Sequence, residues 1–171
     1  MADNDAAAGC RARYMDGRVV LDAWAPGRAE CVAQAVRGLV HDAVWPADAV
    51  LGAQDVERIR PLPDRDLLAH VLRRTIAHLA RDGLVPADVT VAEDDDGRVT
   101  LALTLVPNTQ LRRMPDLGTG LGDVVLERTD MGWRCHAIIA ARPLAPPDEG
   151  FVTGGSTGHD HGLPPEAPAR P

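Results

Sequence analysis

The stretch VVLDAWAPGRAECVAQAVRGLV, residues 19–40, changes its hydrophobic period halfway along. Val19, Leu21 and Ala23 alternate with Val20, Asp22 and Trp24, which is the pattern of a short strand. Pro26-Gly27 then interrupts it, because proline cannot donate to a ladder and glycine bends freely. From Arg28 the spacing is helical. Cys31/Val32, Ala35/Val36 and Leu39/Val40 recur every four residues, with Arg28, Glu30, Gln34 and Arg37 largely between them. A strand feeding a helix that folds back over it is the seed of a two-layer domain of helices on a sheet.

Working outward, the sequence predicts strand at 19–25, helix at 28–41 and a short strand at 56–60, with a connector around Trp45-Pro46 between the last two. Asp55, Glu57 and Arg58 suit an edge position for that short strand. Asp64 offers an N-cap to a second helix over 65–82, where Leu68, Val71/Leu72, Thr75/Ile76 and Leu79 hold the 3.6 period. Gly83 stops it, and Pro86 follows. Leu68, Leu72 and Leu79 are the expected core of that helix. Two hairpins are expected next, 88–92 with 98–106 around an Asp-Gly turn, and 123–127 with 133–141. Residues 107–122 between them read as a long loop. The fold class is α/β (α+β): a two-layer sandwich of one mostly antiparallel sheet with two helices on one face.

The flanks differ in composition. Residues 1–13 are Ala- and Asp-rich and read as a flexible arm. Seven of the 14 prolines and five of the 16 glycines fall in 143–171, which reads as a disordered tail. Residues 14–142 are then the domain.

At 171 residues and 45% apolar, the chain is long enough to bury a sizeable core. A formal charge of −7 argues against general nucleic-acid binding and leaves room for a local basic patch only. All 18 cations are arginine. Without lysine, a Walker-type phosphate loop, a Schiff-base enzyme and a Ser-Lys dyad are excluded. Cys10, Cys31 and Cys135 form no C-x-x-C and read as reduced thiols, two of them in the core. The opening residues lack a signal-peptide pattern, and no apolar run approaches a membrane span. The expectation is a cytoplasmic protein without membrane contact.

Motifs that carry chemistry are sparse. Asp94-Asp95-Asp96-Gly97 lacks the alternating ligand spacing of a calcium loop and reads as a solvated hairpin tip. His159-Asp160-His161 lies in the tail, without the fixed surroundings that an ordered metal site needs. His70 and His78 are too far apart for a shared ion. LGTGLG at 117–122 follows no clear strand and is not a nucleotide fingerprint.

Three segments carry a resemblance. AWAPGRAECVAQAVRGLV (23–40) resembles the first strand–helix unit of bacterial archeases. DLLAHVLRRTIAHLARDGLVPADVTV (66–91) resembles their second helix and following strand, and GWRCHAIIA (132–140) their last strand. The match runs in order over residues 14–142. The resemblance implies a small α/β protein that is not itself an enzyme. It implies assistance, through a divalent-metal site, to the GTP-dependent RNA ligase of tRNA splicing and RNA repair.

The implied metal ligands do not carry over. The family's His-Thr-Ala-Asp falls on Met15, Asp16, Gly17 and Arg18, and its helix acid on Ala80. Its Lys-Ala-Val-Thr/Ser-x-His segment falls in 119–125, and its last acid on Ala140. The 119–125 segment holds neither Lys nor His, and among Met15, Asp16, Gly17, Arg18, Ala80 and Ala140 only Asp16 is an acid. The expectation is therefore an archease-like protein with a degenerate metal site and no cofactor, acting by protein binding, with an RNA ligase as candidate partner. The alternative is a working metal-dependent archease using Ca²⁺ or Mg²⁺, with Asp16 or Asp22 as ligand.

Overall fold

The computed structural model describes residues 7–41, 43, 52–110 and 117–141. The period change at Pro26-Gly27 appears as a strand, β2 (Arg18–Ala25), followed by helix α1 (Arg28–Leu39). Strand β1 (Gly9–Met15) precedes them and pairs antiparallel with β2. Then come β3 (Gln54–Ile59), α2 (Asp64–Ala77), β4 (Leu84–Glu93), β5 (Val99–Pro107), β6 (Leu117–Thr129) and β7 (Gly132–Ala141). All ladders are antiparallel. The fold is an α+β sandwich, as the sequence predicts.

The single sheet expected from the sequence is two sheets, ordered β1-β2-β7-β6 and β3-β5-β4. Alternation shows which residues share a face of a strand, but not which strands are neighbours. α1 bridges the sheets, packing on β2 and β4, and α2 packs on β6. Leu21, Val32, Val36, Leu68, Leu72 and Ile139 are fully buried between them. Leu79 is buried as well, so the predicted core stripe of the second helix holds.

Four local expectations are corrected. Residues 9–13, read as arm, belong to β1. With Arg11 and Arg13 flanking Ala12 they carry little apolar signal, and pairing with β2 supplies what propensity does not. Residues 117–122, read as loop, open β6, whose glycines are tolerated because its register with β7 slips twice. Asp64 does not cap α2: Pro63 is the N-cap, without a side-chain bond, and Asp64 is held by Arg28 at 2.7 Å. The second helix does not run α-helical to Asp82. It widens into a π turn over His78–Asp82 and ends on left-handed Gly83 (φ 62), the stop the sequence predicts. The connector at Trp45-Pro46, the tail from 143, and His159 and His161 lie outside the described residues.

Charged groups tie the elements together. Arg28 reaches Asp64, Glu93 at 2.8 Å and the carbonyl of Leu62, with its guanidinium 5.9 Å from the Trp133 ring. Strand β3 is an edge strand, as its charges suggest, and its inward acids meet α2. Arg74 donates to both oxygens of Asp55, His78 Nε2 lies 2.8 Å from Asp55, and His70 Nε2 lies 3.0 Å from Glu57. The Arg74 hydrogen bonds hold the Asp55 carboxyl below its ordinary range against partial burial, with His78 adding to them. His78 also meets a second carboxylate, its Nδ1 lying 2.9 Å from Asp82, so the two histidines engage different acids and share none. At the tip between β4 and β5, Asp94 Oδ1 accepts from the N–H groups of Asp96 and Arg98, so the acidic run builds its own turn.

The three cysteines, far apart in sequence, converge. Cys10 and Cys135 flank Ala23 across β1, β2 and β7, and Cys31 of α1 sits above with its Sγ 3.8 Å from the Ala23 carbonyl. All three are free thiols. Burial pushes Cys135 up to about 12, and burial with Glu30 nearby pushes Cys31 up to about 11. A thiolate is the reactive species, so these two are inert while folded. Ellman's reagent in native buffer near neutral pH should modify Cys10 at most, and all three thiols after denaturation. Rapid native labelling of two or more would contradict this burial.

Candidate functional site

The β1–β2 hairpin turns on Asp16 and Gly17, both in the left-handed region (φ 48 and 72). Two such residues make the primed turn whose twist matches the flanking strands, and Asp-Gly is a sequence that adopts it. The Gly17 carbonyl accepts from the N–H of Ala141 at 3.0 Å, which pins the turn against the end of β7. On the other side of β7, strand β6 bulges twice. The pairings Leu117–Ala141, Leu121–Ile139 and Val124–Ala137 leave residues 118–120 opposite Ala140 and residues 122–123 opposite Ile138. A Cβ on Gly118 would stand 3.0 Å from the Ala140 carbonyl, so glycine permits this approach.

These features enclose a depression of about 520 Å³ lined by Asp16, Arg18, Asp123, Ile138, Ala140 and the bulge glycines Gly120 and Gly122. Its ionisable side chains are two exposed carboxylates and one exposed guanidinium. Among the described residues, no three of His, Cys, Asp and Glu are grouped so as to hold a metal ion.

A curated relative, the "Probable protein archease" of Mycobacterium tuberculosis, strain CDC 1551 / Oshkosh, is 32% identical to this chain over 121 residues. The match covers 70% of this chain and 67% of the relative. The protein of the same name in strain H37Rv matches equally. The chain belongs to the archease family. No protein-family model matches it. The solution structure of Methanobacterium thermoautotrophicum protein 1598 superposes with a TM-score of 0.55 at 13% identity. That superposition covers 77% of this chain and 98% of the other, which is a likeness of fold. A Thermotoga maritima protein described as an archease and possible chaperone superposes with a TM-score of 0.43 at 11% identity, over 77% of this chain and 93% of its own.

Within this archease fold, most of the positions carried over from the family resemblance do meet. Asp16, Gly17, Arg18, Ala140 and part of 119–125 line the same depression. Met15 and Ala80 do not line it; Ala80 is exposed on the π turn. Asp123 is the residue that sequence reading missed. It lies inside the 119–125 segment, where the family resemblance implies lysine and histidine rather than an acid.

Asp22, the other candidate ligand, is elsewhere, on the outer face of the four-stranded sheet beside a second depression of about 860 Å³. His136 Nδ1 lies 2.8 Å from one of its oxygens, and Arg13 donates to the other at 3.0 Å. Partial burial pushes this carboxyl up, and the His136 and Arg13 hydrogen bonds outweigh it, leaving Asp22 below its ordinary range. Asp22 and His136 are 114 positions apart and meet through the β2–β7 pairing, which local pattern does not reveal. Among the described residues, no helix is long and apolar enough to cross a membrane.

Proposed function

We propose that this archease-family protein acts by binding another protein, without catalysis and without the divalent ion that the family resemblance implies. It is then a degenerate relative of the activators of the GTP-dependent RNA ligase. The observation that carries this reading is the donor set at the bulged end of the sheet. A hard divalent cation needs several charged oxygens closing around it. Here two exposed carboxylates, Asp16 and Asp123, share the depression with Arg18, and Ala140 supplies no side-chain oxygen. A guanidinium among the donors repels the ion at short range.

Among the described residues, the buried thiols Cys31 and Cys135, with raised pKa values, offer no activated nucleophile. One observation favours the rival reading of a working metal-dependent archease: Asp123 gives Asp16 a second carboxylate.

Turnover of a GTP-dependent RNA ligase, measured with and without this protein and with Mg²⁺ or Mn²⁺, separates the two. Complex formation with no change in turnover is expected. Stimulation that requires the divalent ion and disappears in Asp16→Ala would establish the rival.

A further inference from the structure

We propose that the outer face of the four-stranded sheet is a self-association surface, covered by a second copy of this chain through a two-fold axis parallel to the strands. Both helices pack on the opposite face of this sheet, and among the described residues no element covers the outer one. Val20 and Ile138 are cross-strand partners at its centre and remain half-buried. Val125 beside them is 42% exposed, and Met131 at the β6–β7 turn is 61% exposed.

The two edge strands of this face carry opposite charge, with Asp22 held by Arg13 and His136 between them. Strand β1, at one edge, projects Arg11 and Arg13, whereas β6, at the other, projects Asp123 and Glu127. A polyanion would be attracted by the first edge and repelled by the second, and Glu127 and Asp130 line the same depression as Arg134. The face suits an equally bipolar partner, and a second copy is one.

A two-fold axis along the strands exchanges β1 with β6 and β2 with β7. Val20 of one copy then meets Ile138 of the other, giving an apolar centre. Arg13, in the cross-strand row of Val20 and Ile138, meets Asp123, which bulges beside Ile138 in that row. Arg134 comes over the indole of Trp24, a cation–π arrangement, and exposed Met131 reaches the depression that Trp24 lines. Aligned packing of two sheets, with the strands within about 30° of each other, is a common geometry of β-sandwiches. Four strands about 4.8 Å apart and seven residues rising about 3.3 Å each cover roughly 400 Å² per copy. That is small for a stable complex, so a reversible dimer in the micromolar range is expected.

Sedimentation equilibrium of the full-length chain, from about 5 to about 500 µM, should show a monomer–dimer equilibrium with Kd on the order of tens of micromolar. Arg13→Glu alone and Asp123→Arg alone should each raise Kd at least about tenfold. An equimolar mixture of these two variants should restore it to within about threefold, because both cross-copy pairs are then opposite in sign. A monomer throughout would overturn the proposal. So would a dimer indifferent to both reversals, or a mixture no tighter than its components. Ile138→Asp, in the apolar centre, should weaken the dimer comparably, and an unchanged Kd there would also overturn it.

Discussion

Leu72→Ala should lower the free energy of unfolding by roughly 2–5 kcal/mol. Leu72 is fully buried, in a run of α2 where Leu68, Val71, Thr75 and Ile76 are buried too. The substitution removes apolar surface from a close-packed interior and leaves a cavity that neighbouring backbone fills only in part. The same helix packs on β6, so loosening it also loosens the strand that forms the bulged end of the sheet. Urea denaturation should show a lower midpoint with an unchanged slope. A midpoint equal to that of the unsubstituted protein would place the stripe at the surface.

The second large effect belongs to Gly132→Ala, with an expected loss of roughly 2–4 kcal/mol. Gly132 has φ 118, a conformation that side chains with a Cβ rarely adopt. An added Cβ would stand 2.6 Å from the Ala25 carbonyl, which is backbone and cannot swing aside. The obstructed point is also where β2 ends, with only Pro26 and Gly27 between it and α1, so relief displaces the strand–helix unit. Thr129 Oγ1 stiffens the same turn, donating to the Gly132 carbonyl and accepting from the N–H of Met131. Gly97→Ala is the control. Its φ is 75, but the nearest atom to an added Cβ is 3.9 Å away, leaving the conformational penalty of about 1 kcal/mol. Equal losses at the two positions would show that the Ala25 contact has no weight.

Residues 19–40 disclosed the strand–helix unit because both elements there are strongly patterned, and Leu68, Leu72 and Leu79 disclosed the core face of α2 for the same reason. What the sequence hid was set by pairing. β1 has two arginines within its seven residues and exists because β2 lies beside it. The opening of β6 has the composition of a loop and is a strand through two bulges against β7. The division into two sheets rests on which hairpin joins which neighbour, information that no local period contains.

The candidate site was half legible for the same reasons. The positions taken from the resemblance named Asp16, Arg18 and Ala140, and the fold brings them together. Asp123 was hidden because its place depends on a register slip. The meeting of Asp22 with His136 was hidden because it depends on strand order.

The central claim is that the archease scaffold is kept while its end-of-sheet site no longer holds a divalent ion. Isothermal titration of Ca²⁺, Mg²⁺ and Mn²⁺ into the full-length chain tests it most directly. His159 and His161 should be replaced by alanine so that tail imidazoles add no unrelated heat. The predicted result is the weak, unsaturable signal of a generic acidic surface, the same for Asp16→Ala and Asp123→Ala as for their parent. Saturable binding at micromolar concentration, abolished by either substitution, would contradict the claim.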